Sequence, residues 1–145
     1  MNPIQQIALV AHDNRKPHLL DWLGRNRTYF AGKDLVTTGT TGQLIEERLS
    51  LPVTRVQSGP LGGDQQIGAR IAQGQVDLLV FFWDPLEPMS HDPDIKALLR
   101  LATLWNIPMA CNESSADFVI QSPCFQDYQR QVPDFSGYQG RKVRT

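Results

Sequence analysis

The chain has 145 residues, the length of one ordinary domain, and its 41% hydrophobic and 20% charged residues exclude disordered, collagen-like and coiled-coil proteins. Fourteen basic and fifteen acidic residues give a net charge of −1, whereas nucleic-acid-binding proteins carry a basic excess. The longest apolar run, residues 76–83, is too short to span a membrane, and the first residues lack a secretory signal pattern. We therefore expect a cytoplasmic protein with no nucleic-acid or membrane partner, and two cysteines without a CxxC motif fit a reducing compartment.

Short apolar runs alternate with amphipathic segments along the chain, which predicts strands alternating with helices. Residues 76–83 are apolar almost throughout, as in a central parallel strand, and Leu19, Leu20 and Leu23 form an apolar stripe on a helix. The predicted strands are 6–11, 34–38, 53–57, 76–83 and 108–111, and the predicted helices are 16–26, 43–49, 64–73, 93–106 and 114–120.

This order predicts an α/β fold, a single-domain, doubly wound, mostly parallel five-stranded sheet flanked by helices. The predicted domain spans residues 1–122. Residues 123–145, in which the pattern dissolves, form a C-terminal segment that packs on the domain or trails from it.

Polar residues follow every predicted strand, at the point where the strand ends. In doubly wound sheets ligands bind at the carboxyl ends of the strands, so these residues are expected to share one edge. They are His12 and Asp13, then Thr38, Gly39, Thr40 and Thr41, then Ser58 and Gly59, then Asp84, and finally Asn112. The sequence therefore predicts a functional site at this edge.

The motif TGTTG at 38–42 joins a strand to a helix with two glycines and three hydroxyls. A phosphate group needs several hydrogen-bond donors and the positive end of a helix dipole, which such a motif supplies. The motif is neither a Walker A loop nor GxGxxG, and a plain turn with a threonine cap has the same composition. A second turn at Ser58 and Gly59 and the positive charge of Lys16 favour phosphate binding.

Four glycines surround Asp64 in the segment GPLGGDQQIG at 59–68. An acid at the start of a helix is often present only because the helix dipole stabilises it. Four glycines in ten residues exceed what a helix start requires, and they allow backbone to approach a ligand closely. Asp64 is therefore a candidate general base.

Two further segments supply acids and a histidine. Asp84 directly follows the apolar strand in FFWDP, and HDPD supplies His91, Asp92 and Asp94. Each has a structural alternative, because Asp92 suits an N-cap before Pro93, Asp94 suits the first turn of a helix, and a histidine before a helix is commonly a surface residue.

Metal and nucleophile chemistry is less well supported. His12, Asp13, Asp84 and His91 have side chains that can bind metals, but no metal-binding spacing connects them, and we expect no metal. There is no GxSxG motif of a serine hydrolase, and Cys111 suits a small buried residue.

Phosphate-holding turns, several carboxylates and a histidine instead suit proton abstraction beside the carbonyl of a small phosphorylated metabolite.

Six segments together resemble the methylglyoxal synthase family. They are IALVAHD (7–13), TGTTG (38–42), SGPLGGDQQIGA (58–69), VFFWDPL (80–86), HDPDIKALLRLA (91–102) and WNIPMACN (105–112). The resemblance runs in unbroken order from about residue 7 to residue 123 and weakens in the C-terminal tail, where SGYQGRKVRT differs. It implies a cofactor-free lyase of the methylglyoxal bypass of glycolysis. Such a lyase eliminates phosphate from dihydroxyacetone phosphate through an enediolate, giving methylglyoxal and inorganic phosphate.

The resemblance also implies roles for individual residues. Asp64 would remove a proton from carbon 3 of the substrate, His91 would contact the substrate oxygens and move protons, and Asp94 would support them. Asp13 and Asp84 match two further aspartates of the family. The matched substrate- and phosphate-binding positions are His12, Lys16, Thr38, Gly39, Thr40, Thr41, Ser58, Gly59 and His91. The family further implies a homohexamer and allosteric inhibition by inorganic phosphate, and the divergent tail bears on these two properties more than on catalysis.

The same fold has other uses. It forms regulatory ligand-binding modules of larger synthetases and the cyclohydrolase part of a purine-pathway enzyme. A regulatory module needs no Asp, His and Asp set, whereas this chain has Asp64, His91 and Asp94. The alternative to a synthase is therefore a non-catalytic module of this fold that binds phosphate or a phosphorylated metabolite.

Overall fold

The computed structural model describes residues 4–87 and 92–140, without the side chain of residue 92, and its strands form one parallel sheet in the order β3-β2-β1-β4-β5. The strands are β1 (Gln6–Ala11), β2 (Asp34–Thr37), β3 (Thr54–Arg55), β4 (Leu78–Phe82) and β5 (Met109–Ala110). The helices are α1 (Lys16–Arg25), α2 (Arg27–Phe30), α3 (Gly39–Leu49), α4 (Gly63–Ala72), α5 (Asp92–Leu104), α6 (Glu113–Gln121), α7 (Cys124–Asp127) and α8 (Ser136–Gln139). The predicted doubly wound α/β fold is confirmed, and the pairings described are all parallel.

The longest strand pairing in the sheet joins the two central strands, β1 and β4. β1 pairs with β4 from Ile7 opposite Leu78 to Ala11 opposite Phe82, and every residue of β4 is buried. A strand covered by helices on both faces must be apolar on both faces, which explains the continuous apolar run.

Helices cover both faces of the sheet. One core cluster includes Trp22, Phe30 and Ile45, from α1, α2 and α3, and Phe125 from α7. The other packs α4 and α5 onto the opposite face, for example through Ile67. No helix in the described ranges is both long enough and apolar enough to cross a lipid bilayer.

Several boundaries differ from the prediction for identifiable reasons. α3 begins at Gly39 and not at residue 43, so TGTTG forms the first turn of a helix. At Gly42 a Cβ atom would lie 2.2 Å from Oγ1 of Thr37, so glycine lets this turn pack on the end of β2. β4 begins at residue 78 and not 76, and just before it the carboxylate of Asp77 accepts the backbone N–H groups of Gln5 and Gln6 at 3.0 and 2.8 Å.

The C-terminal segment packs on the domain as far as Phe135, and residues 136–140 are exposed. Phe125 lies in the core, and Arg130 donates to the carbonyl of Trp105 at 2.7 Å. The Phe135 ring packs edge-on against that of Trp105, with centroids 5.0 Å apart. The basic end of the tail, residues 141–145, lies outside the described residues.

Candidate active site

A cavity of about 230 Å³ opens at the carboxyl ends of β1, β2 and β3. Its lining is Val10, Ala11, His12, Asp13, Lys16, Thr38, Thr40, Ser58, Gly59, Pro60, Asp64 and Glu87. Most of the polar members come from the predicted site, and they reach this cavity because parallel strands all end at the same edge. The volume of this cavity suits a small metabolite.

The first turn of α3 forms one wall. Thr38 lies at its N-cap position and directs its hydroxyl to that of Thr41, 3.5 Å away, rather than capping the helix. Thr40 lines the cavity, whereas Thr41 is only 1% exposed. The amide of Gly39 donates to the carbonyl of Gln57 at 3.3 Å, which ties α3 to the segment after β3. The unpaired amides of a helix N-terminus and the neighbouring hydroxyls suit an anion.

Lys16 supplies a positive charge at the start of α1. Its ammonium group forms an ion pair with Asp13, one turn earlier in the chain. The Lys16 side chain is 14% exposed and that of Asp13 is 91% exposed. Asp13 therefore holds the ammonium at the cavity while remaining largely in solvent, where such an ion pair adds little stability.

Asp64 is the second residue of α4 and is 9% exposed. A Cβ atom at Gly59 would lie 3.5 Å from Oδ1 of Asp64, so the backbone of this turn packs against the carboxylate. Gly63 permits this approach, since a Cβ there would lie 1.9 Å from the carbonyl oxygen of Gln57. The glycines flanking Asp64 thus bring α4 against the turn at Ser58.

His12 follows β1 and packs its ring edge-on against Phe81. Its Nδ1 atom accepts the backbone N–H of Asp84 at 3.1 Å and lies 3.5 Å from Oε2 of Glu87. Glu87, which was not predicted from the sequence, lies three residues after Asp84 in the loop that follows β4. Glu87 lies beyond the point where the predicted strand 76–83 ends, so the strand-end rule does not include it, and it is marked only by its distance to His12.

Asp84 does not line the cavity, and its carboxylate shapes the loop after β4. Oδ2 accepts from Nδ2 of Asn14 at 3.0 Å, and Oδ1 accepts the backbone N–H of Leu86 at 2.9 Å. These two bonds, first that from Asn14 and then that from Leu86, lower the pKa of Asp84 from its usual value of 3.8.

This lowered pKa predicts an acid-sensitive contribution to stability. Folded Asp84 binds a proton less readily than in the unfolded chain, so its contribution is present above pH 3.8 and is lost as the pH falls through the lowered pKa. We expect Asp84→Asn to lower the urea midpoint at pH 7, and the difference from wild type to shrink near pH ~3. A difference that is the same at both pH values would contradict this role.

The remaining predicted residues lie in different places. Asp94 accepts from Nε2 of Gln65 at 2.8 Å and lines, with Asp64, a separate groove between α4 and α5. Asn112 is the N-cap of α6 and accepts the N–H of Ser115. His91 lies outside the described residues. Within residues 4–87 and 92–140 no group of three or more His, Cys, Asp or Glu is arranged to hold a metal ion.

Comparison with known proteins identifies the family. Residues 25–111 match the family model described as MGS-like domain. The chain is 56% identical over 140 residues to "Methylglyoxal synthase" of Hahella chejuensis, covering 97% of this chain and 92% of that protein. It is 59% identical over 131 residues to "Methylglyoxal synthase" of Pseudoalteromonas atlantica, covering 89% and 97%. The chain belongs to the methylglyoxal synthase family.

The fold agrees with this assignment. The crystal structure of methylglyoxal synthase from Elizabethkingia anophelis matches with a TM-score of 0.89 at 49% identity, covering 98% of this chain and 95% of that one. The family resemblance predicted from the sequence motifs is therefore confirmed. These matches do not favour the alternative of a non-catalytic regulatory module.

Proposed function

We propose that this protein is a lyase that eliminates phosphate from dihydroxyacetone phosphate to give methylglyoxal and inorganic phosphate. The observation that carries the proposal is the placement of the Asp64 carboxylate in one small cavity with Lys16, Thr38, Thr40 and Ser58. Such a cavity pairs a base with the donors that hold a phosphate group. Membership of the methylglyoxal synthase family supports the same reaction.

In the proposed reaction the phosphate group binds the first turn of α3, the turn at Ser58 and the ammonium of Lys16. Asp64 takes a proton from the hydroxymethyl carbon, the C–H electron pair forms a C=C bond, and the carbonyl π pair moves to its oxygen, which gives an enediolate. The terminal hydroxyl then loses its proton and becomes the aldehyde carbonyl, the C=C pair moves to the methylene carbon, and the C–O bond breaks with its electron pair leaving on the phosphate. The product is the enol of methylglyoxal, which loses its hydroxyl proton and gains a proton on the methylene carbon to become methylglyoxal.

Each group has a physical reason for its place. A carboxylate that is nearly buried is held in one geometry and reacts without competing water. His12, which lines the cavity, is suited to donate to an anionic oxygen of the substrate, and the family resemblance assigns to His91 the contact with the enediolate oxygens and the movement of protons. We propose that Asp94 is a supporting carboxylate for Asp64, because both residues line the groove between α4 and α5.

Turnover in D₂O tests this reaction. If the reaction passes through an enol, the methylglyoxal formed in the first minutes carries one deuterium in its methyl group. Inorganic phosphate is released together with it. Methylglyoxal incubated with the protein for the same time measures any later exchange. Phosphate released with unlabelled dihydroxyacetone would show hydrolysis and contradict the proposal.

Lys16→Ala is expected to raise the KM for dihydroxyacetone phosphate about ten- to a hundredfold with a small effect on kcat, because the lost charge contacts a group that is charged throughout the reaction. Arg48→Ala, which removes a positive charge from the exposed end of α3, is the control and should leave KM unchanged. Steady-state kinetics measures both. A fall in kcat at constant KM would contradict the phosphate-holding role.

The homohexamer, inhibition by inorganic phosphate, the cytoplasmic location and the lack of a cofactor stay predictions. They rest on the family resemblance and on composition.

A further inference from the structure

Asn14 ties together two segments of the candidate site, although neither the sequence motifs nor the proposed reaction gives it a role. It lies in the turn after β1 and donates from Nδ2 to the carboxylate of Asp84 in the loop after β4. The second oxygen of that carboxylate accepts the N–H of Leu86. Both oxygens of Asp84 are therefore held, and we call this pair the Asn14–Asp84 bridge.

The backbone of Asp84 connects the bridge to His12. The N–H of Asp84 lies 3.1 Å from Nδ1 of His12, and the amide of His12 donates to the carbonyl of Phe82 at 3.2 Å. Two hydrogen bonds thus connect residue 12 to the end of β4 and the loop that follows it. The position of the Asp84 N–H depends on how that loop is held.

Among the residues that the structure describes, the Asp84 backbone and the Glu87 carboxylate lie beside Nδ1 of His12, and they have opposite requirements. The Asp84 N–H at 3.1 Å can pair only with a lone pair on Nδ1, whereas the Glu87 carboxylate at 3.5 Å can pair only with a hydrogen there. In a neutral imidazole the first pairing puts the ring hydrogen on Nε2 and the second puts it on Nδ1. The two neighbours therefore favour different tautomers.

We propose that Asn14 is a positioning residue: by fixing Asp84 it holds neutral His12 in the Nε2–H tautomer, so that the imidazole offers a donor to an anionic ligand. Without the bridge, Nδ1 carries the hydrogen and donates it to the Glu87 carboxylate, and Nε2 presents a lone pair, which repels an anion. The lowered pKa of Asp84 agrees with this, since the carboxylate stays ionised and can accept both bonds. The inference about the His12 tautomer does not need the proposed function. Only the identity of the anionic ligand as dihydroxyacetone phosphate rests on that function.

Nitrogen NMR of ¹⁵N-histidine-labelled protein tests the tautomer at pH ~8, where an ordinary imidazole is neutral. His12→Asn identifies the signals of His12 by their loss. We expect wild type to show a lone pair on Nδ1 and a hydrogen on Nε2, and Asn14→Ala to shift the population toward Nδ1–H. Asn14→Asp is nearly the same shape and replaces the donor by a second carboxylate, so it should give the same shift even where the alanine variant folds poorly.

A second substitution separates this effect from general loosening. Asn14→Ala combined with Glu87→Ala removes the competing acceptor, and the Nε2–H form should return. Asn26→Ala is the control, since it removes a side-chain bond of 2.8 Å to the carbonyl of Trp22 at the far end of α1. It should leave the His12 signals unchanged.

Calorimetry with inorganic phosphate provides the functional measurement without turnover. We expect Asn14→Ala to raise the Kd for phosphate about three- to tenfold, and the double variant to recover most of the loss. Unchanged His12 tautomer in both Asn14 variants would overturn the proposal, as would a shift that the Glu87 substitution does not reverse. A wild type that binds phosphate in the Nε2–H form but releases no methylglyoxal would overturn the proposed function and leave this inference standing.

Discussion

Replacement of Asp64 by asparagine is expected to lower kcat about a hundred- to ten-thousandfold, because an amide cannot accept the proton that starts the reaction. The side chain is nearly buried against the backbone at Gly59, and asparagine has the same shape. The variant should therefore fold and bind inorganic phosphate like wild type. Steady-state kinetics and phosphate calorimetry together measure this separation of binding from turnover.

Asp34→Asn is the matched control, since it removes one negative charge from an exposed position at the start of β2, on the opposite edge of the sheet. It should keep full activity. Turnover by Asp64→Asn within a few fold of wild type would show that another group is the base.

Gly63→Ala is expected to destabilise the fold by about 2–3 kcal/mol and to lower activity strongly. The new Cβ would lie 1.9 Å from the carbonyl oxygen of Gln57, 2.8 Å from its carbonyl carbon and 2.9 Å from that of Ser58. All three are backbone atoms, so no side-chain rotation relieves the clash. α4 must move away, and Asp64, the next residue, moves with it.

Gly137→Ala provides the control for this substitution. A Cβ at Gly137, in α8, meets no heavy atom within 4 Å, so the change should be neutral or slightly stabilising. Urea unfolding measures both variants. A Gly63→Ala protein with wild-type stability and activity would show that the close approach of α4 to Gln57 is not required.

The fold could be predicted because its signals are local. The apolar run of β4, the alternation of strands and helices and the strand-end rule together placed His12, Thr38 and Ser58 at one edge. Each of these inferences needs only a short window of sequence. The family motifs then added roles that no local pattern contains.

The rest of the site depends on contacts between distant segments. Glycine and threonine are poor helix formers, so the first turn of α3 lacked a helical signal and forms because Gly42 packs on Thr37. Asn14 and Glu87 look like ordinary polar loop residues, and their importance comes from their distances to Asp84 and His12. Phe125 shows no periodicity around it, yet it fills the core from α7.

The most direct test of the central claim follows methylglyoxal and inorganic phosphate together from dihydroxyacetone phosphate, with wild type and Asp64→Asn in parallel. The account predicts equal amounts of the two products from wild type, at a rate that chelator does not change, and almost none from the variant. Phosphate without methylglyoxal, or saturable binding of the substrate with no product, would contradict it.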